Sequence, residues 1–242
     1  MREETSAEVD AFWCACFNCA ADALTAPGVH VVSQGGDLAG YRGAYTFSRQ
    51  EACILAVPPG WVARTNEAAR NLAPGQLFMP DALADLFGDA VERVIGPAYR
   101  GYADETDLRP AETYGARLLT DSPDDHAALA GVRAACTEIE WAHSALDPEL
   151  GPIFGVFDGM RLLAAASYER QAERLLHIRV LTHPGFRGRG LGRGAVSALC
   201  QHGLAAGGIL QYQALLENMP SLKIARALGF QAYAQTIAVR LR

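Results

Sequence analysis

The chain has 242 residues, half of them apolar and a fifth charged, which fits a soluble globular protein able to bury a real core. Its 27 acidic residues outnumber its 21 basic ones, and a net charge of -6 argues against general affinity for nucleic acid or anionic membrane. No apolar run approaches the ~20 residues of a membrane helix, and the acidic start Met1-Arg2-Glu3-Glu4 has no signal-peptide pattern, so a cytoplasmic protein with reduced cysteines is expected.

The first hundred residues carry weak signals. Asp10 to Leu24 reads as an apolar helix holding Cys14, Cys16 and Cys19. Cys16 and Cys19 are spaced to share a face while Cys14 points elsewhere, and no second cluster has zinc-ligand spacing. The three are read as small buried hydrophobes, and no metal is expected. Val29–Ser33 reads as a strand, and Tyr41–Phe47 with Ala52–Val57 as a hairpin stopped by Pro58-Pro59-Gly60. Helices are predicted at Val62–Leu72 and Asp81–Asp89, and Gly96-Pro97 reads as the end of the next apolar segment. The polar stretch Asp104–Ala111 marks a boundary between domains at 1–111 and 112–242.

From Gly115 onward the pattern sharpens. A short strand at Ala116–Leu119 leads to a helix capped by Asp121 or Ser122, with Pro123 in its first turn. A short helix carries Ile139 and Trp141. Ile153–Phe157 and Arg161–Tyr168 flank the turn signal Asp158-Gly159, and Leu175–Thr182 is a third strand, stopped by Pro184. A long helix at Gly190–Ala206, a strand at Leu210–Leu215 and a helix at Ser221–Leu228 follow. The last strand alternates Ile237, Val239 and Leu241 against polar or small neighbours, which predicts a half-buried strand. The fold class is α+β, with a mixed, mainly antiparallel sheet.

Between the strand ending at Thr182 and the helix lies Arg187-Gly188-Arg189-Gly190-Leu191-Gly192. Glycines let backbone N–H groups approach a ligand, and the helix adds unpaired N–H groups and the positive end of its dipole. With Arg187, Arg189 and Arg193 alongside, the segment suits a pyrophosphate. A dinucleotide fingerprint fails on spacing at Arg193, and the Gly-Lys-Ser/Thr of a nucleoside-triphosphate loop is absent.

Arg-x-x-Gly-x-Gly at Arg187, Gly190 and Gly192, after the strand end Val180-Leu181-Thr182, resembles the acetyl-CoA motif of the GNAT superfamily of N-acetyltransferases. Asn218-Met219-Pro220-Ser221 with Ala225, Leu228, Gly229 and Phe230 is similar to that superfamily's second motif. The resemblance covers about residues 112–242 and implies acetyl-CoA as co-substrate, an amine acceptor and a GNAT-like fold. It implies that backbone groups of Val180 and Thr182 hold the pantetheine arm. The N–H of Leu181 or Val180 would meet the thioester carbonyl. Arg187, Gly188, Arg189, Gly190, Leu191, Gly192 and Arg193 would hold the pyrophosphate, and Asn218 and Ser221 would contact the pantetheine or the phosphate end. A homodimer is allowed.

Many members carry a Tyr at the position of Ala225, so the usual acid is missing here, and either Tyr212 or Tyr233 would replace it or the thiolate would leave unassisted. Glu173 and His177 are the base candidates, His183 borders the cofactor mouth, and Glu138, Glu140 and Trp141 sit where the superfamily binds acceptor. The N-terminal half is either a degenerate copy of the same fold or a separate α+β cap. Two other readings stay open: a CoA-binding sensor or scaffold, and an acyltransferase for longer chains.

Overall fold

The computed structural model describes residues 1–144, 146–147, 149 and 151–242. They form two compact units, each assembled from separate stretches of chain. One takes Arg2–Gly101, Gln213–Leu222 and Ala232–Arg242; the other takes Tyr102–Tyr212, Lys223–Gln231 and Met1. Among the described residues no helix is long and apolar enough to cross a membrane.

The first unit opens with α1 (Glu3–Phe17). Its strands are β1 (Gly28–Ser33), β2 (Gly43–Arg49), β3 (Ala52–Val57) and most of β4 (Val91–Ala103) and β10 (Gln231–Leu241). β2 and β3 form the predicted hairpin, β1 lies parallel to β3, and β10 pairs antiparallel with the other edge of β2. Ile237, Val239 and Leu241 point inward onto Leu55, Val57, Leu77 and Leu83, as their alternation requires. Helices α2 (Val62–Ala69) and α3 (Pro80–Phe87) cover this core, and the rings of Trp13 and Phe17 of α1 pack against Phe47 of β2, the first tilted and the second edge-on.

Two expectations need correction here. β4 does not stop at Gly96-Pro97 but runs through it. Gly96 has φ +126°, and a Cβ there would lie 2.9 Å from the Thr236 carbonyl oxygen, so glycine serves close strand approach rather than termination. The cysteines also pair differently. α1 ends at Phe17, Asn18 turns left-handed, and the Cys19 N–H donates to the Cys14 carbonyl at 3.1 Å. Cys14 and Cys19 therefore lie together, their thiols hydrogen-bonded, while Cys16 is buried and its thiol is pushed up to about 11 by burial.

The second unit contains β5 (Arg117–Leu118), β6 (Ile153–Asp158), β7 (Arg161–Arg170), β8 (Leu175–Thr182) and the start of β9 (Ile209–Leu215). Neighbours are antiparallel except β8 and β9, which are parallel. α4 (Pro123–Ala135) begins at Ser122, whose side chain accepts the Asp125 N–H at 3.2 Å. α4 and α5 (Glu138–Ser144) pack through Leu129, Val132 and Trp141 on Ile153, Leu162, Ala165 and Leu181. The buried Leu191, Ala195, Val196, Leu199 and Cys200 of α6 (Leu191–Ala205) pack this helix against the sheet, and α7 (Met219–Ala227) follows β9. Within each unit the strand pairing is mixed and mainly antiparallel, in an α+β protein.

Candidate active site

The decisive geometry is the edge of β8. Gln171 donates to the Leu175 carbonyl at one end and His183 to the Leu163 carbonyl at the other. Because antiparallel pairs exchange hydrogen bonds at every second residue, the odd-numbered residues of β8 bond to β7. Leu176, Ile178, Val180 and Thr182 therefore turn their backbone groups to the opposite edge. The ladder with β9 ends at Ile178 opposite Tyr212, yet β8 continues to Thr182. Backbone groups of Val180 and Thr182 thus line an edge with no ladder partner among the described residues. Leu181 is different: its N–H bonds to β7 and its side chain packs in the core. Of the two expected donors to an acyl oxygen, only Val180 faces the open edge.

β8 runs into the glycine segment. Gly190 caps α6 in the left-handed region at φ 80°, and no side chain caps the helix. The first α6 bond runs from the Gly194 N–H to the Gly190 carbonyl at 3.0 Å, which leaves the preceding N–H groups without intrahelical acceptors. A Cβ on Gly192 would lie 2.6 Å from Thr182 Oγ1, so the first turn of α6 sits directly on the end of β8. The buried Nε of Arg193 has no hydrogen-bond partner among the described residues. An anion at this helix end would satisfy both the helix donors and that nitrogen.

Arg187 is held in place. Its Nε donates to the Thr182 carbonyl at 3.2 Å and its Nη2 to Glu140 Oε1 at 2.7 Å. The other oxygen of Glu140, Oε2, accepts from the N–H and hydroxyl of Thr137, and Thr137 Oγ1 accepts the Glu140 N–H. This is a capping box at the start of α5. The Thr137 N–H and then Arg187 hold the Glu140 carboxyl below its ordinary range.

The family model for the acetyltransferase (GNAT) family matches residues 116–230. These residues are a GNAT domain. A GNAT-family acetyltransferase from Colwellia psychrerythraea superposes with TM-score 0.50 at 16% identity, over 65% of this chain and 60% of its own. A GCN5-related N-acetyltransferase from Kribbella flavida gives 0.50 at 18%, over 66% and 63%. A GNAT-family structure from Novosphingobium aromaticivorans is 24% identical, with TM-score 0.49 over 62% and 65%. The chain thus spans less than two thirds of the length of these structures' chains, and for the first two the likeness, at these identities, is one of fold. No curated protein matches the chain.

The GNAT domain distributes the remaining candidates unevenly. His177 is buried at 8% exposure with Nδ1 2.6 Å from Gln211 Oε1, while Gln211 Nε2 donates to the Tyr102 hydroxyl at 2.6 Å. An amide oxygen facing Nδ1 makes it the protonated nitrogen and leaves the lone pair on Nε2. Glu173 is exposed in the β7–β8 turn, at the opposite end of β8 from Thr182, about 20 Å away at ~3.3 Å per residue. The strand does not bring it to the loop. Trp141 packs in the core with Arg133 over its ring, and Glu140 serves Arg187. His183 pairs with Arg161 beside the turn that leads to the loop. Ala225 is fully buried, and Tyr212 is buried with its ring edge against Phe230.

Tyr233, Asn218 and Ser221 belong to the first unit. Tyr233 donates its hydroxyl to Asp10 at 2.6 Å and accepts from Arg49 at 3.0 Å. Asn218 Oδ1 accepts the Ser221 N–H at 3.2 Å, at the start of α7. One residue escaped sequence reasoning. Tyr114 has φ 52°, and its ring lies 2.7 Å from where a Cβ on Gly194 would be, its hydroxyl 3.0 Å from one on Gly190. It leans over the glycine loop from far upstream, which no local pattern reveals.

Proposed function

We propose that the protein is an acetyl-CoA-dependent N-acetyltransferase acting directly on an amine. The open edge of β8, leading without a break into the uncapped N-terminus of α6, carries this reading. Acetyl-CoA supplies an activated thioester carbonyl. Val180 and Thr182 present backbone groups suited to an amide-bearing arm, which would lie along β8 like an added strand. The N–H groups of Gly188–Gly192, with Arg189 and Arg193, suit its pyrophosphate, and the orphaned Nε of Arg193 fits that anion.

Catalysis rests on the Val180 N–H, a preformed donor for charge developing on the acyl oxygen. His177 is assigned as proton acceptor from the amine, oriented by Gln211 and Tyr102. It lies three residues before Val180, about 10 Å along the strand, so the proton would travel through water. The buried methyl of Ala225 supplies no acid for the departing thiolate, and this favours one second reading, a protein that binds acyl-CoA without turnover. Purified protein incubated with acetyl-CoA and a panel of primary amines should release free CoA in proportion to acetylated amine. Tight acetyl-CoA binding with no CoA release across the panel would favour the second reading. Absence of binding would overturn both.

A further inference from the structure

A cavity of about 290 Å³ in the GNAT domain has no place in this chemistry. One wall is a stripe of α4, Asp124, Ala127, Ala128 and Gly131, spaced to share a helix face. The facing wall is Met160, Arg161 and Leu162 at the start of β7, with His183 beyond the end of β8.

Its polar groups are arranged for a ligand. The Gly185 N–H donates to His183 Nδ1 at 3.1 Å, and the Arg161 guanidinium lies 2.9 Å from His183 Nε2. A neutral imidazole has a single acceptor nitrogen, so the ring accepts from only one of these two donors. Arg161 makes no other hydrogen bond among the described residues, so its remaining N–H groups are open to an acceptor. A carboxylate entering the cavity accepts from the guanidinium. On the opposite wall the Asp124 carboxylate has no hydrogen bond or ion pair among the described residues. The apolar lining leaves room for a short hydrocarbon body.

Gly131 is the independent sign. It lies inside α4, where glycine is a poorer helix former than alanine. Its φ is not left-handed, and a Cβ there would meet nothing within 4 Å. Neither backbone conformation nor packing calls for glycine. What its missing side chain preserves is the open wall of the cavity.

We propose that this cavity binds a small zwitterion of amino-acid size, its carboxylate on Arg161 beside His183 and its ammonium on Asp124. The site stands apart from the acetyl-transfer reading, since no residue of the β8 edge or glycine loop lines it. The test is calorimetry on the full chain with saturating CoA, titrating alanine, valine, leucine and methionine one at a time, with acetate and isobutylamine as half-ligand controls. At least one amino acid should bind, about tenfold or more tighter than either control. Asp124→Asn and Arg161→Gln should each weaken it about tenfold, the scale of one charge-assisted contact. Gly131→Leu should abolish binding while leaving Tm equal or higher and CoA affinity unchanged. No binding by any of the four amino acids would overturn the proposal, as would binding that survives Gly131→Leu. Acetate binding as tightly as the amino acids would overturn the role of Asp124.

Discussion

Asp125 shows how one side chain fixes the entrance to the GNAT domain. It is buried, yet its carboxylate accepts from Arg117 at 2.5 and 3.0 Å and from the N–H and hydroxyl of Thr120 at 2.7 and 2.9 Å. Arg117 first, and then the Thr120 N–H, hold its pKa well below the usual carboxylate range. A depressed folded pKa contributes stability that is complete above the unfolded value of about 3.9 and is lost as pH falls below it. Wild-type stability should therefore drop below about pH 4, and Asp125→Asn should flatten that part of the profile. At neutral pH the same variant should lose about 1–3 kcal/mol in chemical denaturation, the scale of a buried, charge-assisted hydrogen-bond set. An unchanged denaturation midpoint would contradict this account. The pairing is invisible in sequence, because an Arg and an Asp flanking a cap look like ordinary surface charges until the turn brings them together.

At the scale of elements, the glycine loop and α6 are proposed to act as one anion cradle, and α5 is tied to the loop through Glu140 and Arg187. Arg187→Glu with Gly190→Asp reverses charge and removes the left-handed cap, so acetyl-CoA binding by calorimetry should disappear while the far-ultraviolet spectrum stays native. Glu140→Gln should act more mildly. It keeps an oxygen for Thr137 but weakens the hold on Arg187, so CoA affinity should change by about threefold to tenfold and the α5 amides should exchange faster. A defect only in the KM for the amine would instead return Glu140 to the acceptor site expected from sequence. The glycine turn into α6 was legible in sequence because its exposed N–H groups are consecutive backbone groups, and glycine spacing reports such a turn directly. The open edge of β8 was only partly legible. Which residues face it depends on register with β7, and that register separates Val180 from Leu181.

At the scale of the whole chain, the first unit depends on residues from the far end of the sequence. Ile237 pairs with Thr46 and Val239 with Ala44, so one edge of β2 is completed only after the GNAT domain has been traversed. That separation explains why residues 1–100 were hard to read: their strands alternate with weak periodicity, and the strand that completes their core lies nearly two hundred positions away. The expected boundary near 111 leads to a definite outcome. A fragment of residues 1–111 lacks Ile237, Val239 and Leu241, which are buried to 0%, 0% and 5% exposure in the unit's core. Burying such side chains contributes roughly 1.5–3 kcal/mol each, so their loss removes about 5–9 kcal/mol. That is comparable with the whole stability of a typical domain, about 5–15 kcal/mol. It also bares the edge of β2, a template for association between strands. Fragment 1–111 should therefore show no cooperative thermal transition by circular dichroism and should aggregate, and adding a peptide of residues 229–242 in trans should restore part of the transition. A sharp, reversible transition from the fragment alone would mean that its core closes without β10.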